Sequence, residues 1–214
     1  MDNILVYSDS LTWGIIPNTR KRLSFDERWP GVMENLLLEK GKSVRVIENC
    51  LNGRRTVWND PFRPGRDGSQ GLAQVIEMHS PLKLVILMLG INDFQCTHNI
   101  SVALSGQGLV KLINIIRQAQ VEPGMPIPEI MVVAPPHLKK ARGVIAYKLE
   151  GAELRSQGLS AEYAIIAQAY QTLYFDAASV VETSAIDGIH LDKGQHAILG
   201  KVLANRVSAT VLAK

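Results

Sequence analysis

Two unbroken apolar runs constrain this chain more than any other feature: Leu84-Val85-Ile86-Leu87-Met88-Leu89 and Ile130-Met131-Val132-Val133. A strand with one wet face alternates apolar and polar residues. Runs without alternation therefore fit strands covered on both faces, as in the middle of a parallel sheet. They are far shorter than the roughly 20 apolar residues that span a bilayer. Further strand-length segments occur at 3–7, 44–48 and 173–176, and the two runs extend to 82–89 and 129–134. Segments of helical period lie between and after them, at 27–40, 101–118, 160–170 and 193–212. Alternation of this kind predicts an α/β sandwich with a parallel sheet. In the 27–40 segment Trp29, Val32, Met33, Leu36 and Leu37 share a face, and Gly41 suits a C-terminal cap.

The length of 214 residues fits one domain over 1–214, large enough to bury its own core. Isolated Cys50 and Cys96 exclude a disulfide scaffold and a cysteine zinc site, and His79, His98, His137 and His196 have no ligand spacing, so no metal is expected. The net charge of +3 does not suggest nucleic-acid binding, and no membrane partner is expected. The start of the chain has no basic segment before its first apolar run, so a cytoplasmic location is expected. The surplus charge is local: residues 137–158 hold Lys139, Lys140, Arg142, Lys148 and Arg155 against Glu150 and Glu153.

Two stretches, 52–71 and 135–158, fit no regular element, and both begin just after a strand. Ligands of a parallel α/β sheet bind beyond the carboxyl ends of its strands. The same edge receives Ser10 after the first strand, Gly53 after the second and Asn92 after the third, while Asp187 and His190 precede the last helix. Singly, each has a plainer use: Ser10 as a helix cap, Asn92-Asp93 as a turn, His190 as a packing residue. Together they form a set suited to acyl transfer. A serine hydroxyl needs a base, histidine is the side chain matched to that at neutral pH, and a carboxylate holds the imidazole tautomer. The N–H groups of Ser10 and Gly53 and the amide of Asn92 are candidate donors to an oxyanion. No Gly-x-Ser-x-Gly elbow, dinucleotide fingerprint or P-loop competes with this set. Arg54-Arg55 reads as a loop anchor.

Ser8-Asp9-Ser10-Leu11, Asn52-Gly53, Gly90-Ile91-Asn92-Asp93 and Asp187-Gly188-Ile189-His190, in this order, resemble the four blocks of the SGNH (GDSL-type) hydrolase superfamily. The likeness to its arylesterase/acyltransferase branch extends to Thr12-Trp13-Gly14, Arg28-Trp29-Pro30-Gly31-Val32, Leu87-Met88-Leu89 and Leu149-Glu150-Gly151-Ala152-Glu153. The resemblance implies a flavodoxin-like three-layer α/β/α sandwich with a five-stranded parallel sheet. It also implies a Ser10-His190-Asp187 esterase without cofactor, with Ser10, Gly53 and Asn92 as the oxyanion hole. Small activated esters as substrates, acyl transfer to alcohols and a homo-oligomeric state are further implications. The family's first block opens with glycine where this chain has Ser8. Glycine there serves either a positive φ or space beside the neighbouring strand. Leu11, Trp13 and Ile189 are expected at a substrate wall, although Trp13 also suits a core plug. A carbohydrate O-acetylesterase and a catalytically silent binding protein are the rival functions. The basic cluster Lys139, Lys140 and Arg142 is expected either near the mouth of the site, where it would favour anionic esters, in a subunit contact, or in a solvated loop.

Overall fold

A computed structural model describes residues 1–213. Strands β1 (Asp2–Ser8), β2 (Val44–Cys50), β3 (Leu84–Met88), β4 (Glu129–Ala134) and β5 (Leu173–Asp176) lie in the order β2-β1-β3-β4-β5. Every neighbouring pair is parallel. This is the flavodoxin-like strand order. The unbroken apolar runs are buried as expected: every residue of β3 is at most 1% exposed. At the edge, β2 alternates, with Val44 and Val46 buried and Arg45 exposed.

The connections carry α1 (Ser10–Trp13), α2 (Trp29–Glu39), α3 (Leu72–His79), α4 (Val102–Gln118), α5 (Ala146–Leu149), α6 (Ala152–Arg155), α7 (Leu159–Ala169) and α8 (Lys193–Thr210). Helices α2 and α8 pack together, as do α4 with α7 and α3 with α4, giving the helical layers. In α8 the buried residues His196, Leu199, Gly200, Leu203, Ala204 and Val207 recur at intervals of three and one, the stripe of an amphipathic helix. His196 is a core histidine: its Nδ1 accepts from Trp29 N–H at 3.2 Å. Burial, with Arg28 and His190 nearby, pushes its pKa down to about 4, so it sits neutral.

Sequence and structure differ in several places: β1 and β2 run to Ser8 and Cys50, beyond the expected 3–7 and 44–48, and the single-turn helix α1 was not expected. Helix α3 was not expected; it is only eight residues long and follows the glycine-rich stretch directly. Strand β3 is shorter than 82–89, although Leu82 and Leu89 are 1% and 2% exposed. Burial continues there beyond the hydrogen-bonded ladder. Within 135–158 the chain winds into the short helices α5 and α6 after a 3₁₀ turn at Gly143–Ile145.

The register aligns Ser8 with both Cys50 on β2 and Met88 on β3. Three strands thus end level, and the loops after them emerge together at one edge of the sheet. That alignment brings distant parts of the chain to one site.

Candidate active site

Ser10 is the first residue of α1, a single turn that starts immediately beyond β1. The helix is capped by Asp9, whose Oδ1 accepts from Leu11 N–H at 2.9 Å. Ser8 has no positive φ, so the missing glycine imposes no backbone strain. Its hydroxyl donates to Met88 O at 2.6 Å and accepts from Thr12 Oγ1 at 2.7 Å, and Thr12 Oγ1 accepts from Trp29 Nε1 at 3.0 Å. A chain of three hydrogen bonds therefore ties α1 and α2 to the end of β3.

His190 Nε2 lies 3.2 Å from Ser10 Oγ, and its Nδ1 lies 2.7 Å from Asp187 Oδ2. A carboxylate only accepts, so Nδ1 carries the proton and Nε2 is left to accept from the serine. Asp187 Oδ1 accepts from the N–H groups of Ile189 and His190, and Oδ2 also accepts from Asn18 N–H. Burial raises the Asp187 pKa, but the His190 side chain and the N–H groups of Ile189 and His190 outweigh it, holding the carboxyl below its usual range. The turn is closed by Ser184 N–H to His190 O and Gly188 N–H to Ser184 O. Gly188 has φ +79°, and a Cβ there would stand 2.3 Å from Lys140 O, so neither the backbone nor the space admits a side chain.

The basic segment splints this turn with its backbone: Lys139 N–H donates to Gly188 O and Arg142 N–H to Asp187 O. The side chains of Lys139, Lys140 and Arg142 do not line the cleft that holds Ser10 and His190. Lys139 pairs with Glu182 at 3.0 Å, and Lys140 and Arg142 are exposed beside a separate depression.

Asn92 follows β3 in a 3₁₀ turn and donates through Nδ2 to Asp9 Oδ2 at 2.9 Å. Its Oδ1 accepts from Gln95 Nε2 at 2.7 Å, and Gln95 Oε1 accepts from the buried Arg55 at 3.0 Å. The amide orientation is thereby fixed, with the second Nδ2 proton left for the cleft. Gly53 takes φ +82° in the loop after β2. Among the described residues neither Ser10 N–H nor Gly53 N–H donates to any protein group. Arg54 and Arg55 anchor that loop as expected. Arg54 donates to Ser8 O and stacks 3.9 Å from the Tyr7 ring, while Arg55 reaches Gln95 and Thr97.

Asp93 also holds the loop. Its carboxyl accepts from Thr56 N–H, Thr56 Oγ1 and Ser105 Oγ, and burial pushes its pKa up to about 6. The unfolded value is about 3.9, so the folded state holds this proton more tightly. The resulting stabilisation is full below about pH 4 and is lost as pH rises through 6. Between pH 7 and 5, wild type should gain on the order of 1 kcal/mol of stability relative to Asp93→Asn. Urea midpoints measure this, and parallel profiles would contradict it.

The cleft encloses roughly 100 Å³ and is lined by Ser10, Gly53, Asn92, Asp187 and His190 together with Ile15, Asn18, Arg20, Arg63, Gln95, Ile145, Tyr147 and Lys148. Leu11, Trp13 and Ile189 are not part of its wall. Leu11 and Ile189 are 1% and 2% exposed in the hydrophobic core, and Arg22 covers the Trp13 ring at 4.6 Å. They stand close to site residues in sequence, but Leu11 and Ile189 turn into the core, and Trp13 lies under Arg22. Ile15, a further apolar residue of that region, does line it. No motif in the sequence marks Asn18. Its φ of 56° is a left-handed value that asparagine tolerates, and Pro17-Asn18 was the available turn signal. Arg20, Arg63 and Gln95 lie outside regular helices and strands and Lys148 in the four-residue helix α5, too short for spacing to carry orientation.

Among the described residues no group of histidine, cysteine and carboxylate side chains could hold a metal ion, and no helix is long and apolar enough to cross a membrane.

Residues 9–198 match the GDSL-like lipase/acylhydrolase family. The inhibitor-bound aryl esterase of M. smegmatis superposes with a TM-score of 0.92 at 32% identity, covering 98% of this chain and 99% of that one. Est24, a carbohydrate acetylesterase from Sinorhizobium meliloti, gives 0.92 at 31% identity over 98% and 99%. An arylesterase from Vibrio mimicus is 30% identical over 92 residues, 43% of this chain and 38% of that protein, so the match spans well under half of that relative's length. With its flavodoxin-like sheet and four motif blocks at one edge, the chain belongs to the GDSL-like lipase/acylhydrolase family, within the SGNH hydrolase superfamily.

Proposed function

We propose that this protein is a serine carboxylic ester hydrolase of arylesterase type, acting on short-chain acyl esters through Ser10, His190 and Asp187. The observation that carries this reading is the continuous contact from Ser10 Oγ through the imidazole to Asp187, opening on a cleft beside two unpaired N–H groups. Ser10 Oγ attacks the ester carbonyl as His190 Nε2 takes its proton. The carbonyl oxygen gains the electron pair and is held by the N–H groups of Ser10 and Gly53 and the Asn92 amide. Collapse expels the alcohol, which receives the proton from His190, and leaves an acyl-serine. Water, or a second alcohol in acyl transfer, then attacks with His190 again as base. No cofactor takes part. The roughly 100 Å³ cleft is small beside pockets for drug-sized ligands, about 300–1,000 Å³, which favours short acyl chains.

The test is a p-nitrophenyl ester series of rising chain length, with and without added alcohol. Turnover should be greatest for the acetate and fall with length, and alcohol should divert product into a new ester. Absence of turnover across the series contradicts the reading. Asn92→Ala should lower kcat by on the order of 10²–10³ while leaving measurable activity. An unchanged kcat would remove Asn92 from the oxyanion hole.

A carbohydrate O-acetylesterase shares every step and is favoured by the equal TM-score to Est24. Acetylated sugars compared with phenyl acetate separate the two. The silent binding protein has lost its motive, since Ser8 sits without backbone strain. A homo-oligomer belongs to the same proposal, supported by exposed Phe62, Val144 and Tyr147 near the cleft, and light scattering would read it.

A further inference from the structure

Three cations, Arg20, Arg63 and Lys148, line the cleft, and its only carboxylate is Asp187, already engaged by His190. Among the described residues none of the three pairs with an acid. Arg63 is the best placed: its Nη1 stands 3.2 Å from where a Cβ on Gly53 would be, so the guanidinium lies against the glycine whose N–H faces the reacting carbonyl. Its nearest acid in sequence, Asp60, is otherwise occupied, accepting from Phe62 N–H and lying 4.0 Å from Arg55. Arg66 adds like charge beside it and is itself depressed by burial and by Arg63. Unpaired guanidinium groups of this kind match a carboxylate in both charge and fork geometry.

We propose that the cleft selects esters carrying a second, ionised carboxylate, which Arg63 binds with Arg20 and Lys148 contributing to the same cationic rim. This rests on the ester-hydrolase reading above and adds a substrate class to it. The cluster Lys139, Lys140 and Arg142 stays outside the cleft; the role falls to Lys148, from the same basic stretch 137–158, and to Arg20 and Arg63 from two other segments.

The carboxylate can reside on the alcohol or on the acyl group, and two substrate pairs distinguish these. On the alcohol side, para-acetoxybenzoate is compared with neutral para-acetylphenyl acetate. On the acyl side, mono-p-nitrophenyl adipate is compared with the isostere whose terminal carboxylate is replaced by isopropyl. Each kcat/KM is divided by that ester's own hydroxide-catalysed rate. In low salt the anionic member of at least one pair should be favoured about tenfold, the size of one charge-assisted contact. The advantage should shrink at molar salt, where the Debye length falls to about 3 Å. It should collapse in Arg63→Gln and fall in Arg20→Gln, a substitution at an exposed position, while Lys140→Gln and Arg142→Gln keep the ratio. Equal rates within both pairs, with the neutral esters still turned over, overturn this proposal and leave the hydrolase reading standing. Failure on every ester, neutral ones included, overturns both.

Discussion

Ser10→Ala is expected to lower kcat for p-nitrophenyl acetate by on the order of 10⁶-fold, the loss seen when the nucleophile of a serine triad is removed. The effect should be on chemistry alone. Ser10 is buried, its Oγ bonds only to His190 among the described residues, and the cap of α1 is supplied by Asp9. Deleting that oxygen breaks one hydrogen bond and disturbs no packing, so the variant should melt close to wild type. The remaining activity would reflect the oxyanion donors acting on water. Retention of most of the wild-type rate would show that Ser10 is not the nucleophile.

Asp187→Asn should cost about 10⁴ in kcat. The reason is specific to this turn. Both carboxylate oxygens of Asp187 face donors only: Ile189 and His190 N–H on one side, Asn18 N–H and His190 Nδ1 on the other. An amide nitrogen in either place meets donors. Placed toward the imidazole, it favours the tautomer protonated at Nε2, which cannot accept from Ser10. Placed away from it, it loosens the turn that fixes His190. Steady-state kinetics at neutral pH measure the loss, and a decrease smaller than tenfold would mean the carboxylate has no part in orienting the base. Because this carboxyl is held below its ordinary range, its contribution to stability is present above about pH 4 and disappears as pH falls through the depressed value.

The sheet was legible because burial writes itself into sequence. Strands β4 and β5 fall at the expected residues, and β3 differs only where burial outlasts hydrogen bonding. The motif residues were legible for a related reason: Ser10, Gly53 and Asn92 each follow a strand directly, and the level ends of β1, β2 and β3 convert that order into proximity. Asp187 and His190 are three apart in a turn that Gly188 permits.

What did not show was the direction of side chains in loops and single-turn helices. Leu11 and Ile189 adjoin Ser10 and His190 in sequence but enter the core, whereas Arg63, ten residues from Gly53, returns to lie against it. The basic segment acts through its peptide groups, which carry no signature in residue type. Ser8 posed a question that only backbone geometry answers. The position needed no positive φ, and its hydroxyl found a carbonyl on β3.

The most direct measurement is the mass of peptides from protein incubated with a fluorophosphonate, followed alongside esterase activity. Attack by an activated serine expels fluoride and leaves a phosphonyl group on the oxygen. One adduct per chain on the peptide containing Ser10, growing as activity declines, absent in Ser10→Ala and greatly slowed in His190→Ala, is the expected result. Full activity with Ser10 unmodified, or loss of activity with the adduct on a different residue, would contradict Ser10 as the nucleophile.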